Sequence, residues 1–283
     1  MEPRIGRLAA PLFVFFVLCA AAPVPPAIVA AVTNPDRPDA DRSRDLLRKP
    51  AESVAFAGLA PGQTVVDFIP GGGYFTRIFS NVVGPTGHVY AVVPSEMVFG
   101  RRPGPPPAAA GGASPQRAPD ERGTQVPNTT DGAVLSQFLL QQMDPAGQFK
   151  NVTFLVESDA SMSIPVPVDL VWTSRNYHDL HNPAFGQPNM LTLDRSIYNT
   201  LKPGGIFLVL DHSTAPGMGF SQTNTLHRSD PEAVIAEVEQ AGFKLIGRSY
   251  ILANPADNHT QKVFAMHDRT DQYILKFQRP VTD

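Results

Sequence analysis

One cysteine occurs in 283 residues, Cys19, and it sits inside an apolar N-terminal run. With that run removed no thiol is left, which excludes structural disulfides, a cysteine nucleophile and a thiolate metal centre. Stability must then come from a hydrophobic core, and the chain is long enough to build one. Charge is also scarce: Asp, Glu, Lys and Arg make up 17% of the residues and the formal net charge is −3. There is no dense basic run, so there is no electrostatic footprint for nucleic acid. Long apolar runs are absent save one. "LAAPLFVFFVLCAAA", Leu8 to Ala22, covers 15 residues, short of the ~20 that a membrane helix needs. It follows Arg4 and Arg7 and leads into small residues, which is the pattern of a secretory signal. Leu18, bulky and directly before Cys19, argues against lipid attachment. Cleavage is expected near Ala30 or Ala31. That leaves residues 1–31 as signal and 32–283 as a periplasmic or secreted domain with no stable membrane span.

The 29 prolines cluster, so they mark boundaries rather than a disordered chain. Residues 32–49 are polar and read as a mobile leading segment that becomes helical. Residues 100–130 are rich in Pro, Gly and Ala with almost nothing large to bury, and are expected to be a disordered insertion. Elsewhere apolar runs alternate with amphipathic segments. "TVVDFI", "HVYAVV", "VTFLVE", "VDLVWT", "IFLVLD", "KLIGRSYIL" and "DQYILKFQ" read as strands. Phe75, Ile78, Phe79, Val82 and Val83 fall at helical spacing. Asp230 and Pro231 open another helix and Gly242 follows its end. Only a polar loop joins the last two strands, so they should pair antiparallel. The alternation predicts one α/β domain: a seven-stranded, mostly parallel sheet with helices on both faces and an antiparallel last strand.

The chemistry centres on "TVVDFIPGGGYFTRIFS", Thr64 to Ser80: a buried strand, a triple-glycine turn and a helix. A phosphate-cradling loop would need a Gly-Lys-Ser/Thr ending, and none is present. A dinucleotide loop would need a third glycine where Thr76 stands. Strand, Asp67, then Gly71, Gly72 and Gly73 resembles motif I of the class I S-adenosylmethionine-dependent methyltransferases. "LKPGG" before strand five and "DPEAVIAEVEQAGFKLIGRS" resemble that family too, and "NYHDLHN" after strand four is similar to a secreted group within it. The resemblance covers about residues 50–278 apart from the insertion, and implies a Rossmann-like fold. It implies S-adenosylmethionine as cofactor, held by Asp67, Gly71, Gly72 and Gly73, with Asp159 on the adenine. The acid that would bind the ribose aligns with Val93, and Glu96 could replace it from a longer loop. The family's first turn glycine aligns with Ile69, and Pro70 stiffens the turn.

Acceptor chemistry is expected after strands four and five, from His178, Tyr177, Asp211 and His212. A histidine near its natural pKa can take a proton from an oxygen or nitrogen acceptor, with His178 the first candidate. Tyr177 is expected to pack beside the ligand. Asp179, Asp211 and His212 could also form an oxygen and nitrogen set for a divalent ion, but their spacing alone assigns no metal. The expected function is methyl transfer to a small-molecule acceptor by an exported protein. The alternative is an exported small-ligand-binding protein that keeps the fold without turnover, with Ile69 and Val93 as traces of lost cofactor use.

Overall fold

The computed structural model describes residues 23–95, 132–144, 147–158, 161–183 and 187–281. Seven strands, β1 (Thr64–Phe68), β2 (His88–Pro94), β3 (Val152–Glu157), β4 (Val168–Ser174), β5 (Leu201–His212), β6 (Lys244–Ser249) and β7 (Gln272–Gln278), form one sheet. Their order across it is β3-β2-β1-β4-β5-β7-β6. β7 is inserted between β5 and β6 and runs antiparallel to both, while the other pairs are parallel. The expected mostly parallel sheet with an antiparallel last strand is what the chain forms.

Parallel strands buried on both faces read as unbroken apolar runs, and β4 and β5 show why. Leu170, Trp172, Leu208 and Leu210 enter one core, and Val171, Phe207 and Val209 enter the other. The first core is closed by helices α1 (Pro26–Val32), α4 (Pro50–Ala57) and α5 (Tyr74–Val83). α5 buries Phe75, Ile78, Phe79, Val82 and Val83, as their spacing predicts, each worth about 1.5–3 kcal/mol. Trp172 lies under this helix, its ring 4.7 Å from Phe75 and 5.2 Å from Phe79. Between α1 and α4 lie two short turns of helix, α2 (Asp39–Arg42) and α3 (Asp45–Arg48). Helix α6 (Gly132–Met143) covers β3, and α7 (Met190–Thr200) and α8 (Pro231–Gln240) close the second core. α8 starts as predicted, with the Asp230 carboxylate accepting from Glu232 N at 3.0 Å and Pro231 in the first turn.

Three details differ from the sequence reading. "KPGG" does not separate α7 from β5: the strand already begins at Leu201 and carries these residues at its start. β6 ends at Ser249, short of Leu252. Residues 32–49, expected to be mobile and then helical, do carry the helical turns α2 and α3 but are tied down by ion pairs. Arg37 grips both oxygens of Asp45 at 2.9 Å, Arg77 holds Asp41 at 2.6 Å, and Arg44 and Arg48 both reach Asp268. The expected insertion at 100–130 lies outside the described residues. So do residues 1–22 of the expected signal, but α1 does not. Ile28 and Ala31 are buried against α5, so removing the chain up to Ala31 would take both out of the core. Among the described residues no helix is long and apolar enough to cross a membrane.

Candidate functional site

Strand order reverses between β1 and β4, and open α/β sheets bind ligands outside the carboxyl ends of the strands at such a point. A cleft of about 420 Å³ lies there, within the range that encloses a small-molecule ligand. Its walls come from the turn after β1, the segment after β4, the end of β5, and residues 263–268 before β7. α2 and α3 complete it with Asp41, Arg44 and Arg48. A second depression of about 550 Å³, beside Met162, Ile164 and Arg195, has no histidine or carboxylate among its described lining residues. The chemistry belongs to the first.

The turn after β1 is wound through left-handed backbone, with φ of 60° at Ile69, 55° at Gly71 and 79° at Gly73. Gly71 and Gly73 take this freely. Ile69 does not, because a β-branched side chain is crowded there. The turn therefore keeps a glycine's conformation where its first glycine is missing. Asn176 secures it by donating from Nδ2 to Ile69 O at 2.8 Å. The three glycines have separate uses. Gly71 and Gly72 line the cleft, and a Cβ on Gly71 would meet nothing within 4 Å. Gly73 begins α5, and a Cβ there would lie 2.6 Å from Met143 Cε, so its smallness serves the packing of α6. Asp67 was expected to accept from turn amides or the ligand. It lines the cleft, is 2% exposed and accepts from Thr76 Oγ1 at 2.6 Å. Burial pushes its carboxyl up to about 7, against the Thr76 hydrogen bond and the charge of Arg77. Thr76, the residue that spoils the dinucleotide pattern, thus holds the strand-end acid. Glu96 and Asp159 lie outside the described residues, and Val93 sits within β2 opposite Val156.

The other wall is built on Asp211, fully buried at the end of β5. Its carboxylate accepts from His178 N and His212 N at 2.7 and 2.8 Å. It also meets His178 Nδ1 at 2.7 Å. The other ring nitrogen of His178, Nε2, lies 3.2 Å from Asp179 Oδ1. Burial alone would lower the pKa of His178, but Asp211 and Asp179 outweigh it and push the ring up to about 10. The two carboxylates thus favour the protonated ring, where the sequence led to the expectation of a base near its natural pKa. His212 is the opposite case: burial, together with Arg175 and His178, holds it well below its usual value, and Nδ1 meets Thr270 Oγ1 at 2.7 Å. His227 reaches the cleft from the segment after β5, with Nδ1 3.0 Å from the same Asp179 oxygen.

Tyr177 does not reach the cleft. Its ring is fully buried under α7 and α8, and its hydroxyl lies 3.0 Å from Asp194 Oδ2 and 2.8 Å from Glu237 Oε1. Tyr177 and His178 are neighbours in a tight turn, where successive side chains diverge, so only His178 faces the ligand side. The sequence reading missed the basic wall. Arg44, Arg48 and Arg175 converge on Asp268, whose half-buried carboxyl is held well below the usual range by Arg44, Arg175 and Arg48. Burial and the nearby Arg48 lower Arg175 to about 10, so it stays charged. Three cations against one anion leave the wall positive. No local pattern marked this group, since Arg44 and Asp268 stand 224 residues apart.

No family model matches the chain, and no curated protein sequence does. Solved structures do. A SAM-dependent methyltransferase from Aquifex aeolicus matches with a TM-score of 0.51 at 17% identity, over 85% of this chain and 93% of that one. The chain has the class I methyltransferase fold. Another methyltransferase of this kind, from Mesorhizobium loti, has 14% identity and a TM-score of 0.48 over 82% of this chain and all of its own. Identities this low speak to the fold alone. The turn after β1 and the ends of β4 and β5 accordingly stand where a methyltransferase fold exposes its strand ends.

Proposed function

We propose that the protein binds S-adenosylmethionine and transfers its methyl group to a small-molecule acceptor after export to the periplasm or beyond. The observation that carries this is the single cleft with the left-handed glycine turn on one wall and His178, locked to Asp211, on the other. The cleft suits the cofactor: Gly71 and Gly72 line it with bare backbone, and a Cβ on Gly71 would project into open space. The positive wall of Arg44, Arg48 and Arg175 favours a carboxylate on the ligand. S-adenosylmethionine would supply an electrophilic methyl carbon on a sulfonium. The chain's part is to align and to exclude water, which is worth much of the rate of an in-line displacement. Gly71 and Gly72 let backbone approach the ligand, and Asp67 sits beneath them. Phe75, Val263 and Phe264 give the cleft apolar surface. His178, held by Asp211, fixes the opposite wall, so the reading rests on alignment.

A ligand-binding protein without turnover is the second reading, favoured by Ile69 in its crowded conformation and by Val93 in place of an acid. Calorimetry with S-adenosylmethionine and its demethylated product, in EDTA, tests the binding. Saturable heat that disappears in Gly71→Trp supports both readings, and none at millimolar ligand refutes both. Transfer of labelled methyl to a panel of small hydroxy and amino acceptors separates them.

A further inference from the structure

His178, Asp179 and His227 converge on the cleft, and one potential ligand atom from each lies within 4.8 Å of the other two. We propose that they form a binding site for one first-row divalent transition-metal ion. The separations fit. Metal–nitrogen and metal–oxygen bonds of about 2.0–2.2 Å place adjacent donors about 2.8–3.6 Å apart on an octahedron or tetrahedron. Asp179 Oδ1 is 3.2 Å from His178 Nε2 and 3.0 Å from His227 Nδ1.

The surroundings are those of a metal site as well. A ligating imidazole almost always gives its second nitrogen to a carboxylate or carbonyl, which fixes the ring and raises its basicity. Asp211 does this for His178 from a fully buried position, at 2.7 Å from Nδ1, and the ion takes the place of the proton that Nε2 otherwise directs at Asp179, so binding releases a proton. His227 is held in left-handed backbone, φ 57°, a conformation that persists only where neighbours enforce it. The next residue, Arg228, is fully buried, pairs with Asp257 at 2.8 Å and donates to Ser213 O at 2.9 Å, which anchors the chain beside His227. Phe264 packs edge-on to the His227 ring with centroids 4.6 Å apart, so one side of the site is apolar. Two imidazoles and one carboxylate suit zinc, manganese, iron, cobalt or nickel better than the all-oxygen shells of calcium and magnesium. Three protein donors leave coordination positions free, and these face the cleft. Asp211 and His212, which the sequence offered as metal donors, serve instead as the orienting group and a partner of Thr270.

The site does not depend on methyl transfer, and its test uses the metal alone. Untagged full-length protein is stripped with EDTA, dialysed and titrated with cobalt(II) chloride, without S-adenosylmethionine. One equivalent should bind with a saturable visible d–d band, and zinc should displace it. Asp179→Asn and His227→Asn should each weaken binding more than about tenfold while melting within a few degrees of the parent. Asparagine tolerates the backbone of His227, so that variant keeps the test valid should Asp179→Asn unfold. His259→Asn, altering a pair with Asp271 outside the cleft, should change nothing. Absence of a saturable band, or a band that survives both cleft substitutions, would overturn the site. Cobalt binding without S-adenosylmethionine binding would leave this inference standing and remove the proposed function.

Discussion

Replacing Asp67 by asparagine should stabilise the protein at pH 8 far more than at pH 5. The carboxyl is buried, with Thr76 Oγ1 at 2.6 Å as its hydrogen-bond partner, and burial raises its pKa from 3.8 to about 7. Between those values the folded protein holds a proton that the unfolded chain has released. Stability is therefore full below the unfolded pKa and is lost as pH rises towards the folded one. A shift of about three units at 1.36 kcal/mol each gives a total loss of about 4 kcal/mol. Roughly 2–3 kcal/mol of it falls between pH 5 and pH 8. A domain of this size shifts about 2–4 °C per kcal/mol. The gain in melting temperature of Asp67→Asn over the parent should thus be about 5–10 °C larger at pH 8 than at pH 5.

Circular-dichroism melts of both proteins at the two pH values suffice. Any fixed cost of the new amide cancels when the two differences are compared. So does Glu237, which burial also pushes up to about 7 in both proteins. Melting curves that shift in parallel, with the gain equal at both pH values to within about 1 °C, would refute the reasoning. They would mean that water or a neighbouring donor solvates Asp67. The prediction also bears on function, because a group that destabilises the fold above neutral pH is one whose presence needs another reason.

Two further outcomes are expected. Asp268→Asn leaves Arg48 and Arg175, each with a side chain 12% exposed, without their anion; chemical denaturation should show a loss of about 3–5 kcal/mol, and less than about 1 kcal/mol would show that water already screens the arginines. A chain beginning at Val32 should be about 2–4 kcal/mol less stable than one beginning at Pro23, since it lacks the buried Ile28 and Ala31, and equal melting temperatures would show that α1 adds nothing to the core.

The strands were legible because both faces of the sheet are covered, which demands continuous apolar runs such as "VDLVW". Glycine, proline and cap residues then marked the ends, as at Asp230 and Pro231. The site was legible only as an address. Topology puts the ends of β1, β4 and β5 side by side, so Asp67, His178, Asp211 and His212 had to gather. What each does there depends on direction and on charge brought from afar. Nothing local separates Tyr177 from His178, yet one points into the second core and the other into the cleft. Arg44, Arg48 and Asp268 meet through tertiary contact, and their segments read as plain polar loop.

Local sequence determined the order of strands and helices, the glycine turn and the site's place at the strand ends, because periodicity and turn chemistry are short-range properties. Tertiary structure decided which side chains face the ligand and in what state. Backbone dihedrals in the turn after β4 aim His178 at Asp211 and Asp179 and send Tyr177 away. Burial, which no short window of sequence encodes, raises Asp67, neutralises His212 and, with two carboxylates, keeps the proton on His178.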